Sequence, residues 1–263
     1  QGRCTILTSA TISDKQTGTP REKCGYYLNS IGYPVSGMVS EPKKSPFDYE
    51  HHTMLYCSKE LPYPSMEHRK EYRAASVTEI VKLLEVTNGK ALILFTAKED
   101  MEYVYKKLSN MHLPYKILMQ SKTSSQAHQL DKFKADTNSV ILGTGTYWEG
   151  INVEGESLSQ VIVYKLPFPV PEPIIDYKMS LTENPIDEVA VPEMVIKFKQ
   201  GVGRLIRSAS DTGIVSILDP RVSLRKAKYA DVALDALSVK NRADSIDELR
   251  TFWDRITNEG SKR

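Results

Sequence analysis

The sequence predicts an α/β fold in which a mostly parallel sheet carries helices on both faces. Short runs that are apolar throughout, such as residues 91–95, alternate with amphipathic stretches of helical length, such as residues 99–108. A strand without a polar face must be covered on both sides, and strands that alternate with helices are typical of parallel sheets. The composition, 40% hydrophobic and 26% charged, is that of a globular protein rather than a disordered one.

The predicted elements follow this alternation along the chain. Residues 4–11 are predicted as a buried strand that ends in small hydroxyl side chains, and the proline-rich segment 36–64 contains one short strand at 53–57. Apolar residues recur at helical spacing in 66–86, which predicts a helix that Asn88 and Gly89 close. Further strands are predicted at 91–95, 115–119, 139–142, 161–166 and 214–218, helices at 99–108, 127–133, 246–253 and in the remaining gaps, and a frayed end from residue 258.

The charge and the cysteines exclude several classes of protein. The 35 Lys and Arg residues nearly balance the 33 Asp and Glu residues, and the net charge of +2 excludes a globally basic coat protein. No apolar run approaches the ~20 residues that span a membrane. Cys4, Cys24 and Cys57 are too few and too far apart for a disulfide scaffold, a zinc ribbon or a four-cysteine iron–sulfur cluster, and they predict reduced thiols in a cytosolic protein. Because the chain begins with Gln1 and has no signal-peptide pattern, we expect it to begin partway into a longer protein.

Ligands of parallel sheets bind on the loops that follow the carboxyl ends of the strands. The loop at 143–152 reads Gly-Thr-Gly-Thr-Tyr-Trp-Glu-Gly-Ile-Asn. Its glycines allow a polyanion to approach the backbone, and its hydroxyls and amides can bind phosphate oxygens. Glu149 and Asn152 are candidates for contacts to ribose hydroxyls or to a metal-bound water. A glycine-rich turn around a buried Trp148 explains the same pattern without a ligand.

A second loop, at 200–207, carries two arginines. Arg204 and Arg207 are three residues apart, which predicts that both project from one face of a helix while Leu205 and Ile206 face elsewhere. Two guanidiniums suit a triphosphate, and the alternative is a solvated arginine face. The local charge favours an anion site, either for a nucleotide or for a nucleic acid, because residues 197–228 contain eight basic and two acidic side chains. These are Lys197, Lys199, Arg204, Arg207, Arg221, Arg225, Lys226 and Lys228 against Asp211 and Asp219.

A third candidate is Asp219, in the Asp-Pro-Arg turn after the strand at 214–218, which either positions an arginine or caps the next helix. Several motifs are missing from the sequence. It has no G-x-x-x-x-G-K-[ST], no Asp-Glu-Ala-Asp or Asp-Glu-x-His box, no H-E-x-x-H and no G-x-S-x-G. The chain therefore lacks the parts of a self-sufficient ATPase, a zinc hydrolase or a serine hydrolase.

Taken in order, the motifs resemble those of the C-terminal motor half of superfamily 2 helicases of the DinG/XPD group. Residues 7–11 resemble motif III, 94–97 motif IV, 143–152 motif V, 166–171 (Leu-Pro-Phe-Pro-Val-Pro) the linker of the DinG branch, 200–207 motif VI and 219–221 the strand end after it. Gln120 stands where the group has a polar residue after a strand. The sequence departs from the group at Asn152, where Asp is usual, and at Ala97, where Ser is common.

The resemblance implies a RecA-like domain from a motor that hydrolyses ATP between two such domains. It assigns 1–12 to the last strand of the first motor domain, 13–45 to a connecting segment, 46–258 to the second motor domain and 259–263 to a frayed tail. ATP and Mg²⁺ would be bound mainly by the missing N-terminal half, which is also where an iron–sulfur cluster is possible. We therefore expect the chain by itself to hydrolyse no ATP.

The resemblance also implies roles for individual residues. The catalytic residues would be Arg204 and Arg207 as arginine fingers, Gln200 as a sensor of the γ-phosphate or the attacking water, and Glu149 as a coupling carboxylate. Contacts to ATP are expected at Gly150, Asn152, Gly203 and Asp219, and contacts to nucleic acid at Thr96, Gln120, Thr144, Ser9 and Thr11. The expected partners are the N-terminal motor domain and single-stranded or forked DNA, unwound 5′ to 3′ during repair or replication by a cytoplasmic, nucleoid-associated protein without a membrane partner.

Two other classes of function stay open at this point. The first is a nucleic-acid-binding module, or a nuclease-linked relative of the group, without productive unwinding. The second is a dinucleotide-dependent enzyme of Rossmann type. That enzyme needs an early G-x-G-x-x-G and an acidic residue about 20 positions later, and the sequence has neither.

Overall fold

A seven-stranded sheet forms the centre of the protein. The computed structural model describes residues 6–9, 11–43, 45–121, 124–149, 153, 156–208, 210–224 and 227–260, with side chains as far as residue 258. The strands are β1 (Thr53–Cys57), β2 (Ala91–Leu94), β3 (Ile117–Met119), β4 (Val140–Gly143), β5 (Gln160–Val163), β6 (Gly213–Ile217) and β7 (Arg242–Ala243). They lie in the order β3-β4-β2-β5-β6-β1-β7, and neighbouring strands are parallel. The predicted fold class is confirmed.

Helices connect the strands and cover both faces of the sheet. They are α1 (Pro20–Lys23), α2 (Gly25–Ser30), α3 (Tyr49–His52), α4 (Arg69–Thr87), α5 (Lys98–Ser109), α6 (Gln126–Ala135), α7 (Pro173–Ser180), α8 (Val191–Val202), α9 (Pro220–Ser223), α10 (Ala230–Asp235) and α11 (Ile246–Gly260). A 3₁₀ turn at Gly145–Tyr147 and a π-helical turn at Ile186–Ala190 complete the helical structure of the described residues. None of the helices in this part of the chain is long and apolar enough to cross a membrane.

The sheet separates two hydrophobic cores. Helices α6, α8 and α10 pack on the first face, where Trp148 and Phe198 are buried. Helices α4, α5 and α11 pack on the second face, where Tyr72 and Ile80 are buried. Because side chains of a strand point alternately to the two faces, strands covered on both sides are apolar throughout, as the sequence indicated.

The end of α4 confirms the predicted stop at Asn88 and Gly89. Both residues have positive φ angles, 51° and 79°, which reverse the chain into β2. Glycine is required at the second position, since a Cβ atom there would lie 1.9 Å from the backbone oxygen of Asn138.

Both ends of the chain differ from the prediction. Ile6–Ser9 and Thr11 form no strand, and Ile6 is 84% exposed, because no described strand pairs with them. The predicted buried strand is therefore wrong for these residues, while residues 4, 5 and 10 lie outside the described residues. The last helix continues to Gly260. The prediction of a frayed end from residue 258 is therefore wrong for residues 258–260. Its apolar stripe continues past the predicted end, because Ile256 packs in the second core beside Phe252.

The segment before β1 is fastened to α8 at two points. The Lys199 ammonium donates to the backbone oxygen and the hydroxyl of Ser13, both at 2.8 Å. The Tyr26 hydroxyl donates to the Glu193 carboxylate, which also accepts from the Lys178 ammonium at 2.8 Å. These bonds connect residues 13–30 with both ends of α8.

Candidate functional site

Three polar residues predicted to contact nucleic acid follow three neighbouring strands. Because all strands are parallel, the loops after β3, β4 and β2 lie side by side at the carboxyl edge of the sheet. They carry Gln120, Thr144 and Thr96, and we call these loops the polar edge. The backbone nitrogen and the hydroxyl of Thr144 both donate to the Gln120 side-chain oxygen, at 2.8 and 3.0 Å. Thr144 is buried and fixes Gln120, while Thr96 is exposed.

Ser9 and Thr11 lie apart from this edge. The backbone nitrogen of Thr11 donates to the Ser9 hydroxyl at 3.2 Å, and Ser9 is exposed. Both residues are in the segment that precedes the sheet, and their described hydrogen bond is made within that segment. The structure therefore does not bring these two predicted residues together with Gln120, Thr144 and Thr96.

The loop after β4 is shaped by close packing. A Cβ atom on Gly143 would lie 2.2 Å from the ring of Tyr147, and Gly145 has a φ of +53°. Trp148 is 1% exposed, and its indole nitrogen donates to the backbone oxygen of Phe95 at 2.9 Å. The glycine-rich turn around a buried tryptophan, one of the two readings of this pattern, is therefore present.

The Trp148 ring also reaches the end of α8. A Cβ atom on Gly201 would lie 2.6 Å from the indole and 2.9 Å from the side chain of Leu94. Glycine at this position lets the helix approach the ring. The loop after β4 and the end of α8, which are far apart in sequence, are therefore in direct contact.

The two arginines of this region lie on a turn and not on a helix. Helix α8 ends at Val202, where the backbone nitrogen of Gly203 donates to the oxygen of Lys199 at 2.9 Å. Leu205 and Ile206 then enter the first core. The prediction that Arg204 and Arg207 share a helical face is wrong, because burial of the two apolar residues between them turns the chain away from the helix axis.

The guanidiniums of Arg204 and Arg207 are close enough to repel one another. Arg204 donates to the backbone oxygen of Glu149. Burial lowers the pKa of Arg204, the positive charge of Arg207 lowers it further, and the Glu149 carboxylate opposes both effects. Asp211 shapes the turn, since its carboxylate accepts from the backbone nitrogen of Arg207 at 2.7 Å. An anion between the two arginines would relieve their repulsion.

A cleft of about 300 Å³ is lined in part by Glu149, whose backbone oxygen accepts from Arg204. Glu149 and Gln200 line it together, with Lys197 from α8 and Pro167 from the loop after β5. Two of the predicted catalytic residues therefore face one space, and Gly203 is exposed next to it. Gly150 and Asn152, predicted to contact ATP, lie outside the described residues.

Asp219 both caps a helix and positions an arginine, so each of the two readings of this turn is right. Its buried carboxylate accepts from the backbone nitrogen of Arg221 at the start of α9 (3.1 Å) and from that residue's Nε and Nη2 (2.9 and 2.6 Å). It also accepts from the backbone nitrogen of Leu166 at 3.0 Å. Burial alone would lower the pKa of Arg221, but Asp219 raises it well above its usual range. Both oxygens of this predicted ATP contact are thus engaged within the protein.

Sequence reasoning missed the aromatic side chains around Arg221. The rings of Phe168 and Tyr229 meet edge to face at 4.8 Å, and the guanidinium of Arg221 lies 5.6 Å from the centre of the Phe168 ring. The only signal in the sequence is an aromatic residue two positions after the predicted strand 161–166, at Phe168, and another after a basic run, at Tyr229. No group of three or more His, Cys, Asp or Glu side chains able to hold a metal ion occurs among the described residues.

Comparison with known proteins identifies the family. Residues 80–238, which include the polar edge and the arginine turn, match the family described as helicase C-terminal domain. The chain belongs to this family. It is 33% identical over 226 residues to the ATP-dependent DNA helicase YoaA of Escherichia coli, and 34% identical over 257 residues to YoaA of Haemophilus influenzae. These alignments cover 84% and 94% of the chain but 33% and 37% of the relatives.

A third relative, the 3′-5′ exonuclease DinG of Bacillus subtilis, is 32% identical over 94% of the chain and 27% of its own length. The chain thus spans about a third of the length of these relatives. The resemblance to the DinG/XPD group that the motifs indicated is confirmed.

Solved structures agree on the fold. An XPD helicase superposes with a TM-score of 0.57 at 20% identity, over 73% of this chain and 35% of that chain. Dbp5 of Saccharomyces cerevisiae, bound to RNA and ADP BeF3, gives a TM-score of 0.53 at 14% identity, over 89% and 52%. The fold is therefore that of a RecA-like helicase domain.

Proposed function

We propose that this domain is the second motor domain of an ATP-dependent DNA helicase, in which the arginine turn completes the ATP site. One observation carries the proposal: the Arg204–Glu149 bond and the Trp148–Gly201 contact hold the turn against the loop after β4. Through this bond Arg204 contacts Glu149, which lines the cleft together with Gln200. The names of the YoaA relatives support the same activity.

In this function the arginines act on the transferred phosphoryl group. ATP and its Mg²⁺ would be bound mainly by the first motor domain, across the cleft. Arg204 and Arg207 would supply positive charge where negative charge develops on the γ-phosphoryl oxygens, and Gln200 would orient the attacking water. An anion beside both guanidiniums would oppose the lowering of the Arg204 pKa by the charge of Arg207.

The polar edge would hold the DNA strand by its backbone. The Thr96 hydroxyl and the Gln120 amide can bind phosphate oxygens without reading bases, so the binding would be insensitive to sequence and sensitive to salt. Thr144 would act by fixing Gln120. We propose translocation from 5′ to 3′. Dbp5, which has the same fold, was solved with both RNA and a nucleotide, and this supports the use of such a fold for both ligands.

The test separates ATP hydrolysis from DNA binding. We expect Arg207→Ala in the full-length protein to lower DNA-stimulated ATP hydrolysis by on the order of 10³ or more, because an arginine finger contributes that much to phosphoryl transfer. Affinity for single-stranded DNA should change by no more than a few-fold. Arg250→Ala, on the surface of α11, is the matched control and should leave both properties unchanged.

Two results would contradict the proposal. If Arg204→Ala and Arg207→Ala both abolish DNA binding while ATP hydrolysis stays intact, the domain is a nucleic-acid-binding module. If the chain by itself hydrolyses ATP, and Arg207→Ala does not reduce the rate, the turn is not part of the ATP site.

A further inference from the structure

The carboxyl edge of the sheet continues beyond the polar edge with a different set of side chains. After β2 the next strands are β5, β6 and β1. The loops that follow them carry Phe168, Arg221 and Tyr63, and Tyr229 packs edge to face on Phe168. Tyr63 follows β1, the strand next to β6. We call these four residues the aromatic edge.

The aromatic edge is held in place rigidly. The buried Asp219 carboxylate binds two nitrogens of the Arg221 guanidinium and also the backbone of Leu166, two residues before Phe168. The guanidinium in turn lies over the Phe168 ring. One carboxylate therefore fixes the loops after β5 and β6 relative to each other. Because these loops are already ordered, ligand binding costs little further conformational entropy there.

The rings are not part of a closed core. Phe168 and Tyr229 are half-buried at the margin of the first core, and Tyr63 is 54% exposed. The exposed Lys228 directly precedes Tyr229, and the Arg221 guanidinium lies beside the Phe168 ring. Exposed aromatic rings among positive charges are the combination that binds single-stranded nucleic acid, where bases stack on rings and cations attract phosphates.

We propose that the aromatic edge stacks on the bases of the strand whose backbone the polar edge holds. This inference rests on the proposed function. The two edges are contiguous, because β2 and β5 are hydrogen-bonded neighbours. Six strands at about 4.8 Å spacing span roughly 24 Å, a length that accommodates several nucleotides of an extended strand. Stacking tolerates any base, so the aromatic edge would add affinity without adding sequence specificity.

Tyr63 offers the clearest test, because its exposure makes a folding defect after substitution small. We expect Tyr63→Ala in the full-length protein to weaken binding of a fluorescent oligo(dT) about 5-fold or more, the effect of losing one stacked base. Tyr63→Phe should bind like the wild type. Tyr177→Ala is the matched control, since Tyr177 is an exposed tyrosine (61%) on α7 that is not one of the four residues of the aromatic edge, and its removal should change nothing.

A second measurement tests the contact directly. Oligo(dT) that carries 5-iododeoxyuridine should crosslink under ultraviolet light to peptides that contain Tyr63 or Phe168. Phe168→Leu, which keeps an apolar side chain of similar volume, should reduce the crosslink at that position and lower affinity.

The outcomes distinguish the two proposals. If Tyr63→Ala and Phe168→Leu bind with unchanged affinity and neither peptide crosslinks, while Gln120→Ala weakens binding, the aromatic edge is only structural and the strand-binding function stands. If the protein binds no oligonucleotide even at low salt, both the aromatic edge and the strand-binding function are wrong.

Discussion

Two arginine sites on the same side of the sheet have opposite electrostatic surroundings. Arg221 is bound by the buried carboxylate of Asp219, which raises its pKa. Arg204 donates to a backbone oxygen, and burial together with Arg207 lowers its pKa. Removing one partner of a buried ion pair strongly destabilises the fold, whereas the charge on Arg204 is already disfavoured by burial and by Arg207 and would be favoured by an incoming anion. The comparison predicts that the first site matters for stability and the second for catalysis.

The largest expected effect on stability is at Asp219. Replacing it with Ala leaves Arg221 without its carboxylate and the backbone nitrogen of Leu166 without its acceptor, and we expect a loss of about 3–5 kcal/mol in the free energy of unfolding. Urea unfolding measures this loss. Asp244→Ala, which breaks the exposed ion pair with Lys59, is the control and should have little effect. If both variants lose the same free energy of unfolding, burial of the Asp219–Arg221 pair contributes nothing to stability.

Gly201→Ala tests the contact that holds the arginine turn against the loop after β4. The added Cβ atom would lie 2.6 Å from the indole of Trp148, so either the ring or the helix must move. We expect a loss of about 1–3 kcal/mol in unfolding free energy, the usual cost of overpacking. Gly25→Ala adds the same atom in α2 where nothing lies within 4 Å, and it should not destabilise the protein. If Gly201→Ala leaves the free energy of unfolding unchanged, the Trp148 ring does not pack tightly against α8 at this position.

The arginine turn itself should matter little for stability. Arg204→Ala removes the bond to the Glu149 backbone oxygen and also the repulsion from Arg207, and these two effects oppose one another, so we expect a smaller loss than that of Asp219→Ala. The same urea measurement applies. A loss as large as that of Asp219→Ala would overturn the comparison and make the turn a structural site.

The smallest effect concerns a third carboxylate site, at the start of α8. Burial and Glu193 raise the pKa of Tyr26 to about 12. Because the folded protein holds this proton more tightly than the unfolded chain, the stabilisation is complete below about pH 10 and is lost as the pH rises toward about 12.

Tyr26→Phe should therefore be about 1 kcal/mol less stable than the wild type near neutral pH, the usual value of one hydrogen bond. The difference should shrink when both proteins are unfolded in urea at about pH 11. A difference that is independent of pH would mean that the hydroxyl does not titrate with folding.

Six of the seven strands of the sheet, all except β7, were predictable from the sequence, and so was the meeting of three polar loops at one edge. Runs such as 91–95 are apolar on both faces, and parallel strands put their end loops at one edge, which pointed to the loops of Thr96, Gln120 and Thr144. The helical placement of Arg204 and Arg207 was wrong because spacing alone does not show where a helix ends. That end depends on burial of the residues between the arginines, which is a property of the folded core.

Two further features were beyond sequence reasoning for physical reasons. The segment 6–9 has the composition of a strand, but a strand forms only where another strand supplies hydrogen bonds. The aromatic edge joins Tyr63, Phe168 and Tyr229, which lie on separate segments of the chain and meet only because the sheet places β1, β5 and β6 side by side. No local sequence pattern indicates that these residues are near one another in the fold.

The indole of Trp148 has a mechanical consequence. Its nitrogen is bonded to the residue before Thr96, its backbone lies in the loop that begins with Thr144, and its ring presses on Gly201, three residues before Arg204. Close-packed side chains transmit displacement rather than absorb it. Under the proposed function, a bound DNA strand that displaces the loops after β2 or β4 would therefore displace the arginine turn through this one side chain, and a motion of the turn would act back on the DNA by the same route.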